Sequence, residues 1–427
     1  MNRRITALIS ALLLLLQLAG LSSCAATPLQ LLDRNGNAIS AEGPYAEIAL
    51  KEATEILIEL EGCTEKQAKK LLSRKGYILY TAFDPSVYQA IDQAYEEHRS
   101  AGLELSVAVT DQNGRLAAVY SASQRQINRA TALTPPYSAF KPLSVYAPAI
   151  DQGLASWATM YPDEPVKQVN GQDWPSNPNG SYSHTNTPVA TAIQRSLNTI
   201  AVRCLQEYGV SNSIQYLKTS FGLSLNFEES KANTMGEEEV LGNIALGYLN
   251  EGVSPVDMAG YYRVFAAGGE YLAPKAVLRL CDAGGKELYT APAEGKQVMK
   301  ETTAVIMNRL LQKVTAPGGT GSEALFSRIP VAGKTGTGEE GNWFVGVTPQ
   351  YSCAVWHGNE YSNNLADTIF ADIMAELPHT REDFNGCAGL QQAAYCAETG
   401  LLYGSDCRRM ETGWFAADSL PEKCKNH

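Results

Sequence analysis

The 427-residue chain is short of positive charge: 34 lysines and arginines stand against 45 acidic residues, a formal net of -11. A protein that binds by neutralising phosphates carries the opposite balance, so charge excludes nucleic acid as a partner. Histidine is scarce, with five residues and none in a nucleophile-elbow pattern, which argues against a His-based hydrolase. There is no Cys-x-x-Cys pair, no internal repeat and no long low-complexity tract. Charged residues make up only 19%, yet the 44% hydrophobic content is ordinary for packed domains and excludes wholesale disorder. No cofactor is expected. The Ala-Gly-Lys-Thr string at 332–335 imitates the end of a phosphate-binding loop, but such a loop needs glycine at 328, and that residue is Arg328.

Long apolar runs are also missing, with one exception at the start. Arg3 and Arg4 precede an apolar stretch, Ile5 to Leu21, that includes five consecutive leucines, Leu12 to Leu16. It falls short of the roughly 20 apolar residues of a membrane span, and Gln17 interrupts it. A positive start, a short apolar core and small residues at its end make an export signal. The ending Leu21-Ser22-Ser23-Cys24 resembles the lipobox of bacterial lipoproteins, which implies cleavage before Cys24 and acylation of that cysteine. The alternatives are an uncut signal anchor or an ordinary export signal whose cysteine is incidental. Loss of Arg3 and Arg4 would move the net charge to -13. A body so charged is repelled by anionic lipid heads, so the expected membrane tether is covalent lipid.

Of the other cysteines, Cys63, Cys204, Cys281 and Cys353 are scattered, whereas Cys387, Cys396, Cys407 and Cys424 fall in the last 41 residues. In an exported chain such a cluster suggests disulfides, with three possible pairings. A small zinc site using Cys424 and His427 is the rival, and reduced thiols are a third reading; no metal is assigned.

Along the chain, residues 25–43 read as linker. Ile48, Ala49, Ala53, Ile56, Leu57 and Leu60 recur at helical spacing. Thr64 with Gln67 makes a capping box for a second helix over 65–74. A strand is expected at 77–83 and a helix at 85–97. Strands at 103–110 and 116–121 flank an Asn113-Gly114 turn that favours a hairpin. A helix is expected from Ser138 to Gln152, closed by Gly153, and the region 185–275 is mainly helical. Further strands are expected near 328–334, 342–348 and 351–357. Strands near both ends with helices between predict an α+β fold whose terminal strands share one antiparallel sheet.

Three short strings carry chemistry. Ser138 and Lys141 stand at i and i+3, on one face of a helix, close enough for hydroxyl to meet amine. The prolines at 135 and 136 set Ser138 near a helix start, where free N–H groups favour developing negative charge. A serine hydroxyl needs a base, and a lysine serves only when burial or a neighbouring cation lowers its pKa. Ser196 and Asn198 offer a hydroxyl and a carboxamide two residues apart. Lys334-Thr335-Gly336-Thr337 offers a cation and two hydroxyls for a carboxylate, with small residues that let a ligand approach the strand.

In this order the three strings match the S-x-x-K, S-x-N and K-T-G set of penicillin-binding proteins and serine β-lactamases. The stretch from about Gly76 to Glu360 resembles the transpeptidase domain of the bifunctional penicillin-binding proteins. The likeness extends to Tyr80-Thr81-Ala82-Phe83-Asp84, Phe140-Lys141-Pro142, Trp343-Phe344-Val345-Gly346 and Val355-Trp356. It implies that Ser138 attacks the D-Ala-D-Ala amide of a peptidoglycan stem peptide and that Lys141 takes its proton. It further implies that Ser196 relays a proton to the departing D-Ala, that Asn198 holds the substrate amide, and that Lys334 orients the network. Thr335, Gly336 and Thr337 would bind the substrate, with N–H groups of Ser138 and Thr337 as oxyanion hole. β-Lactams would acylate the same serine.

The resemblance divides the chain into a signal (1–23), a lipid-anchored linker (24–43), a small helical pedestal (44–75), a transpeptidase domain (76–380) and a Cys-rich tail (381–427). Some 50 residues between Cys24 and Gly76 are too few for the glycosyltransferase domain of the bifunctional relatives, so a separate glycosyltransferase is the expected partner. Tyr137 stands where these proteins usually have glycine. A β-lactamase needs a deacylating glutamate between the second and third strings; Glu164 precedes Ser196, in the wrong order. A D,D-carboxypeptidase and a β-lactam sensor or scaffold without turnover remain as alternatives.

Overall fold

The computed structural model describes residues 27–99, 102–223, 225, 237–358, 364–380 and 383–425. The signal, the lipobox and Cys24 lie outside them, as does His427. Among the described residues no helix is long and apolar enough to cross a membrane.

The chain forms two compact units. The first combines residues up to 81 with 277–291. Its helices are α1 (Pro44–Glu61) and α2 (Glu65–Leu72). Gly62 ends α1 in the left-handed conformation, where its N–H bonds to Ile58 O. The Thr64 capping box starts α2: the Thr64 hydroxyl accepts from Gln67 N–H, and Gln67 Oε1 accepts from Thr64 N–H. The unit's sheet runs β1 (Gln30–Leu32), β2 (Ile78–Thr81), β5 (Val277–Cys281), β6 (Glu287–Thr290). Strand β1 lies inside the stretch expected to be linker and pairs parallel to β2. The strand at 78–81, expected to open the catalytic domain, thus joins the pedestal helices in one unit, completed by a hairpin from some 200 positions later in the chain.

The second unit spans 82–276 and 292–427. A five-stranded antiparallel sheet is ordered β7 (Ala332–Gly338), β8 (Gly341–Val347), β9 (Tyr351–His357), β3 (Leu105–Asp111), β4 (Leu116–Ala122). The expectation of an α+β fold whose early and late strands share one sheet holds, with β9 paired to β3. Helices α3 (Pro85–His98) and α11 (Leu365–Glu376) cover one face. Ile91, Val107, Val109, Phe344, Val355, Ile369 and Phe370 form a core that is fully buried there. Removing a side chain of this kind from water is worth about 1.5–3 kcal/mol each. Helices α9 (Pro255–Arg263) and α10 (Glu301–Thr315) also pack on this sheet.

The helical part contains α5 (Val189–Arg195), α6 (Asn198–Tyr208), α7 (Val210–Phe221) and α8 (Glu237–Leu246). The helix expected from Ser138 to Gln152 is not regular. It starts as a 3₁₀ turn (Tyr137–Phe140), continues as a π-helical segment (Pro142–Tyr146) and ends as α4 (Ala147–Asp151). Pro142 lacks an N–H, and its ring crowds the carbonyl four residues back, so the ordinary ladder fails there. The N–H of Ala147 reaches Pro142 O instead, a five-residue step.

The tail forms a hairpin, β10 (Leu390–Cys396) and β11 (Met410–Ala416), against α10. Three of its cysteines, Cys396, Cys407 and Cys424, converge, and Cys387 is not one of that group.

Candidate active site

The site lies wholly in the second unit, where the 3₁₀ turn at 137–140 meets the edge strand β7 and the junction of α5 and α6. Several contacts fix the turn. Tyr137 N–H donates to Gly247 O at 3.0 Å, Tyr262 Oη donates to Ala139 O at 2.5 Å, and Trp343 Nε1 donates to Pro135 O at 2.9 Å. Ser144 Oγ donates to Ile244 O one turn on. Strand β7 comes so near that a Cβ on Gly336 would stand 2.4 Å from Pro136 O, so only glycine permits this approach. The approach brings Thr337 beside Ser138 on the wall of one pocket.

That pocket has a volume of about 440 Å³ and is lined by Ser138, Ser196, Asn198, Thr335 and Thr337, with Tyr137 and Tyr248 at its side. Ser138 is half-buried and Thr337 exposed, whereas Lys141 and Lys334 are each only 1% exposed. Two ammonium stems with almost no access to water are costly unless they shed charge. Burial first, and the neighbouring Lys334 second, hold the Lys141 amine well below the ordinary lysine range. Burial lowers Lys334 to about 7.

Lys141 Nζ donates to Ser196 O at 2.8 Å and to Asn198 Oδ1 at 2.5 Å, and lies 3.5 Å from Ser196 Oγ. A neutral amine has two N–H groups and one lone pair. Spending both donors on Ser196 O and Asn198 Oδ1 leaves the lone pair for a hydroxyl proton. Among the described residues no hydrogen bond joins Lys141 to Ser138 Oγ; bonds of this kind commonly tighten only when substrate is in place. Lys334 Nζ donates to Ser196 Oγ at 2.9 Å and to Thr335 O at 3.0 Å. The Ser196 hydroxyl therefore lies between two lysines. It is placed there by the left-handed turn of Ser196 itself, φ 59° and ψ 34°, which ends α5.

The structure brings together all eight residues singled out in the three strings: Ser138, Lys141, Ser196, Asn198, Lys334, Thr335, Gly336 and Thr337. Several neighbours were not foreseen. Asn198 Nδ2 donates to Ser176 O at 2.6 Å, and Asn198 N–H donates to Asn177 Oδ1 at 2.8 Å. Asn177 Nδ2 donates in turn to Asp163 Oδ1 at 2.7 Å, which also accepts from Thr199 Oγ1 at 2.7 Å. Burial would raise the Asp163 pKa, but hydrogen bonds from Ser183, Thr199 and Asn177 outweigh it, and the carboxyl lies below its ordinary value. Thr320 bonds Thr335 hydroxyl to hydroxyl at 2.8 Å. Ser176 and Asn177 lie in a polar stretch and Thr320 between glycines, and no spacing in the sequence singles out any of them or Asp163.

The profile of the family described as "Penicillin binding protein transpeptidase domain" matches residues 105–375, more than half of the chain. The chain belongs to this family. Among curated relatives, "Penicillin-binding protein 1A" of Clostridium botulinum is 31% identical over 340 residues, covering 73% of this chain and 40% of that protein. "Penicillin-binding protein 1A" of Clostridium perfringens is 28% identical over 430 residues, 90% of this chain and 51% of that one. The chain thus spans about half or less of the length of these relatives. The structure of the PonA1 protein of Mycobacterium tuberculosis in complex with penicillin V aligns with a TM-score of 0.66 at 23% identity, over 81% of this chain and 96% of that one. At this identity the likeness shows a shared penicillin-binding transpeptidase fold.

Proposed function

We propose that this chain is a serine-type D,D-transpeptidase that crosslinks peptidoglycan stem peptides and is acylated by β-lactams. The observation that carries the reading is the pair of buried lysines around the hydroxyl of Ser196, a residue that lines the same pocket as Ser138. Ser138 Oγ attacks the carbonyl carbon between the two D-Ala residues, and its proton passes to neutral Lys141 Nζ. The oxyanion is held by the N–H groups of Ser138 and Thr337. As the C–N bond breaks, Ser196 passes a proton to the departing D-Ala nitrogen and is resupplied from the lysines on either side. Thr335 and Thr337 hold the substrate carboxylate. A second stem-peptide amine then attacks the ester, releasing Ser138 with a new amide. Strand β7 pairs on one side only among the described residues, so its other edge is free to take an extended peptide.

Transfer to water instead of amine would make the enzyme a carboxypeptidase. A lactamase would need a base for that water, and Glu164 does not line the pocket but faces Arg203 at 3.8 Å. The test is labelling with a fluorescent penicillin: wild type is labelled covalently and Ser138→Ala is not. Persistent labelling of the Ala variant would sink the assignment. Mass spectrometry of pentapeptide reactions then reads crosslinked dimer for the transpeptidase, free D-Ala alone for a carboxypeptidase, and neither for a sensor.

The reading places the enzyme on the extracytoplasmic face of a bacterial membrane, held by lipid on Cys24. Support comes from the Leu21-Ser22-Ser23-Cys24 string. Incorporation of a fatty-acid label, abolished by Cys24→Ala, is the expected result. Crosslinking also needs polymerised glycan strands, and a separate glycosyltransferase is the partner that would supply them. Capture of such an enzyme with the tagged protein from membranes checks this.

A further inference from the structure

Cys396, Cys407 and Cys424 come from three separate turns of the tail, yet their sulfurs all lie within 4.8 Å of one another, and all three residues are buried. Cys396 ends β10, and the N–H groups of Thr399 and Gly400 fold back onto its carbonyl. Cys407 N–H bonds to Gly404 O, and Cys424 N–H bonds to Leu402 O. A Cβ on Gly404 would stand 2.6 Å from Cys424 O, so the two segments pass as closely as a glycine allows.

Two of the sulfurs already receive hydrogen bonds. Gly404 N–H donates to Cys407 Sγ at 3.3 Å, and Thr399 Oγ1 donates to Cys424 Sγ at 3.4 Å. Donors aimed at sulfur fix its orientation for a cation. Leu401 and Tyr403 pack against the trio. Any disulfide among three cysteines leaves one sulfur over. A thiophilic divalent ion uses all three.

We propose that Cys396, Cys407 and Cys424 bind one zinc ion that fastens the tail. Zinc takes thiolates at about 2.3 Å in a tetrahedron, so its sulfurs sit about 3.8 Å apart, which the present cluster, within 4.8 Å, accommodates. On binding, the three S–H bonds release their protons to solvent and three Zn–S bonds form, with no change of oxidation state. The fourth position falls to water. The ion ties the end of β10, the 404–407 turn and the 424 segment together. It stands apart from the Ser138 pocket and plays no part in acyl transfer.

The experiment is elemental analysis of the purified full-length chain, isolated without chelator. About one zinc per chain is expected, lost in Cys396→Ser, Cys407→Ser and Cys424→Ser and kept in Cys387→Ser. Cobalt(II) added to the zinc-free protein should give thiolate charge-transfer absorption and the intense visible bands of a tetrahedral site. Because the serine variants can fail to fold, Thr399→Val provides a milder change: it removes only the bond to Cys424 Sγ and should weaken zinc binding about 10–100-fold against a competing chelator. Zinc content that is absent in the wild type, or unchanged in all three serine variants, overturns the proposal. So does a disulfide between any two of the three in non-reducing peptide maps of freshly isolated protein.

Discussion

Lys334 Nζ donates a 2.9 Å hydrogen bond to Ser196 Oγ, while the Lys141 amine lies 3.5 Å from the same oxygen. One hydroxyl thus links the proposed base behind the nucleophile to a second buried amine that can return a proton. In the proposed mechanism Ser196 is a relay, and the contributions of its hydroxyl and its backbone can be separated.

Ser196→Ala and Ser196→Gly both delete the relay hydroxyl. Acylation by a slow β-lactam or a peptide substrate should fall by about 10²–10⁴-fold in each, the range of a lost proton-transfer group. Stability should differ between the two. Ser196 holds a left-handed backbone, φ 59°, which a Cβ disfavours by roughly 1–2 kcal/mol. Glycine should therefore melt higher than alanine, by about 1 kcal/mol in chemical denaturation, with equal loss of activity. Equal stability of the two variants would mean that the turn is not held in this form.

The acylation rate should depend on pH through both lysines. In the proposed mechanism Lys141 acts only when neutral, so the rate should fall in acid as its lowered pKa is crossed. Lys334 contributes positive charge only while protonated, and with its pKa at about 7 that contribution fades on the alkaline side. The limbs belong to the pair rather than to single residues. Lys334→Arg keeps the charge at all accessible pH and should abolish the alkaline limb. Stopped-flow acylation of the two proteins across pH checks this, and an unchanged alkaline limb in the arginine variant would assign it elsewhere.

The same lysines tie stability to pH. A lysine whose folded pKa lies below its unfolded value of about 10.4 binds its proton more weakly when folded, so folding stability rises as pH rises between the two values. For Lys334 that window runs from about 7 upward. One proton held only by the unfolded chain corresponds to about 1.4 kcal/mol per pH unit. Lys334→Met should flatten the rise in denaturation midpoint between about pH 7 and 10, whatever it does to the absolute level.

Asp163 anchors the loop that orients Asn198. Its carboxylate accepts from Asn177 and Thr199, and Asn177 in turn receives the N–H of Asn198. Asp163→Asn exchanges a charged acceptor for a neutral amide among donors and should cost on the order of 1–3 kcal/mol of stability. Because Asp163 does not line the pocket, the activity loss should come through misplacement of Asn198. Asn177→Asp, which keeps an acceptor for Asn198 but puts a second carboxylate beside Asp163, should be worse than Asn177→Ser. Acylation kinetics and thermal melts of the three variants read the order.

The three strings, helix α1, the Thr64 cap and the 105–122 hairpin were legible because each is set by residues a few positions apart. Ser138 and Lys141 need only one helical turn to meet, and Gly336 needs only to be small. The union of early and late strands followed from their number and order. Strand β1 was not legible: three residues in a polar stretch become a strand only because β2 is beside them, and β2 is flanked by a hairpin from 277–290. Asp163 and Asn177 gave no pattern either, since a buried polar network is defined by convergence in space. The tail cysteines showed the same limit, with sequence counting four candidates where geometry selects three. The irregular helix after Ser138 could have been anticipated from Pro142, but the outcome, a π-helical segment, depended on which carbonyl the next N–H could reach.

Tyr137 is the departure most open to engineering. It takes φ 48°, a left-handed value that suits glycine, and its ring meets Tyr248 edge-on with centroids 5.4 Å apart. Its hydroxyl accepts from Glu340 N–H at 3.1 Å, and the ring occupies the space in which a Cβ on Gly338 would fall. The side chain thus braces the turn after β7 from beside the nucleophile. Tyr137→Gly relieves the backbone but empties the ring's volume, and the loss of a buried aromatic costs about 3–5 kcal/mol, more than the roughly 1–2 kcal/mol recovered at φ. A net fall in melting temperature is expected. The mouth of the pocket widens at the same time, so acylation by β-lactams with bulky side chains should gain relative to small ones. Tyr137→Phe should leave this selectivity unchanged, because it loses only the hydroxyl bond to Glu340. Acylation rates for a bulky and a small β-lactam with the three proteins decide it: a constant ratio in Tyr137→Gly would show that the ring supports the turn without shaping access.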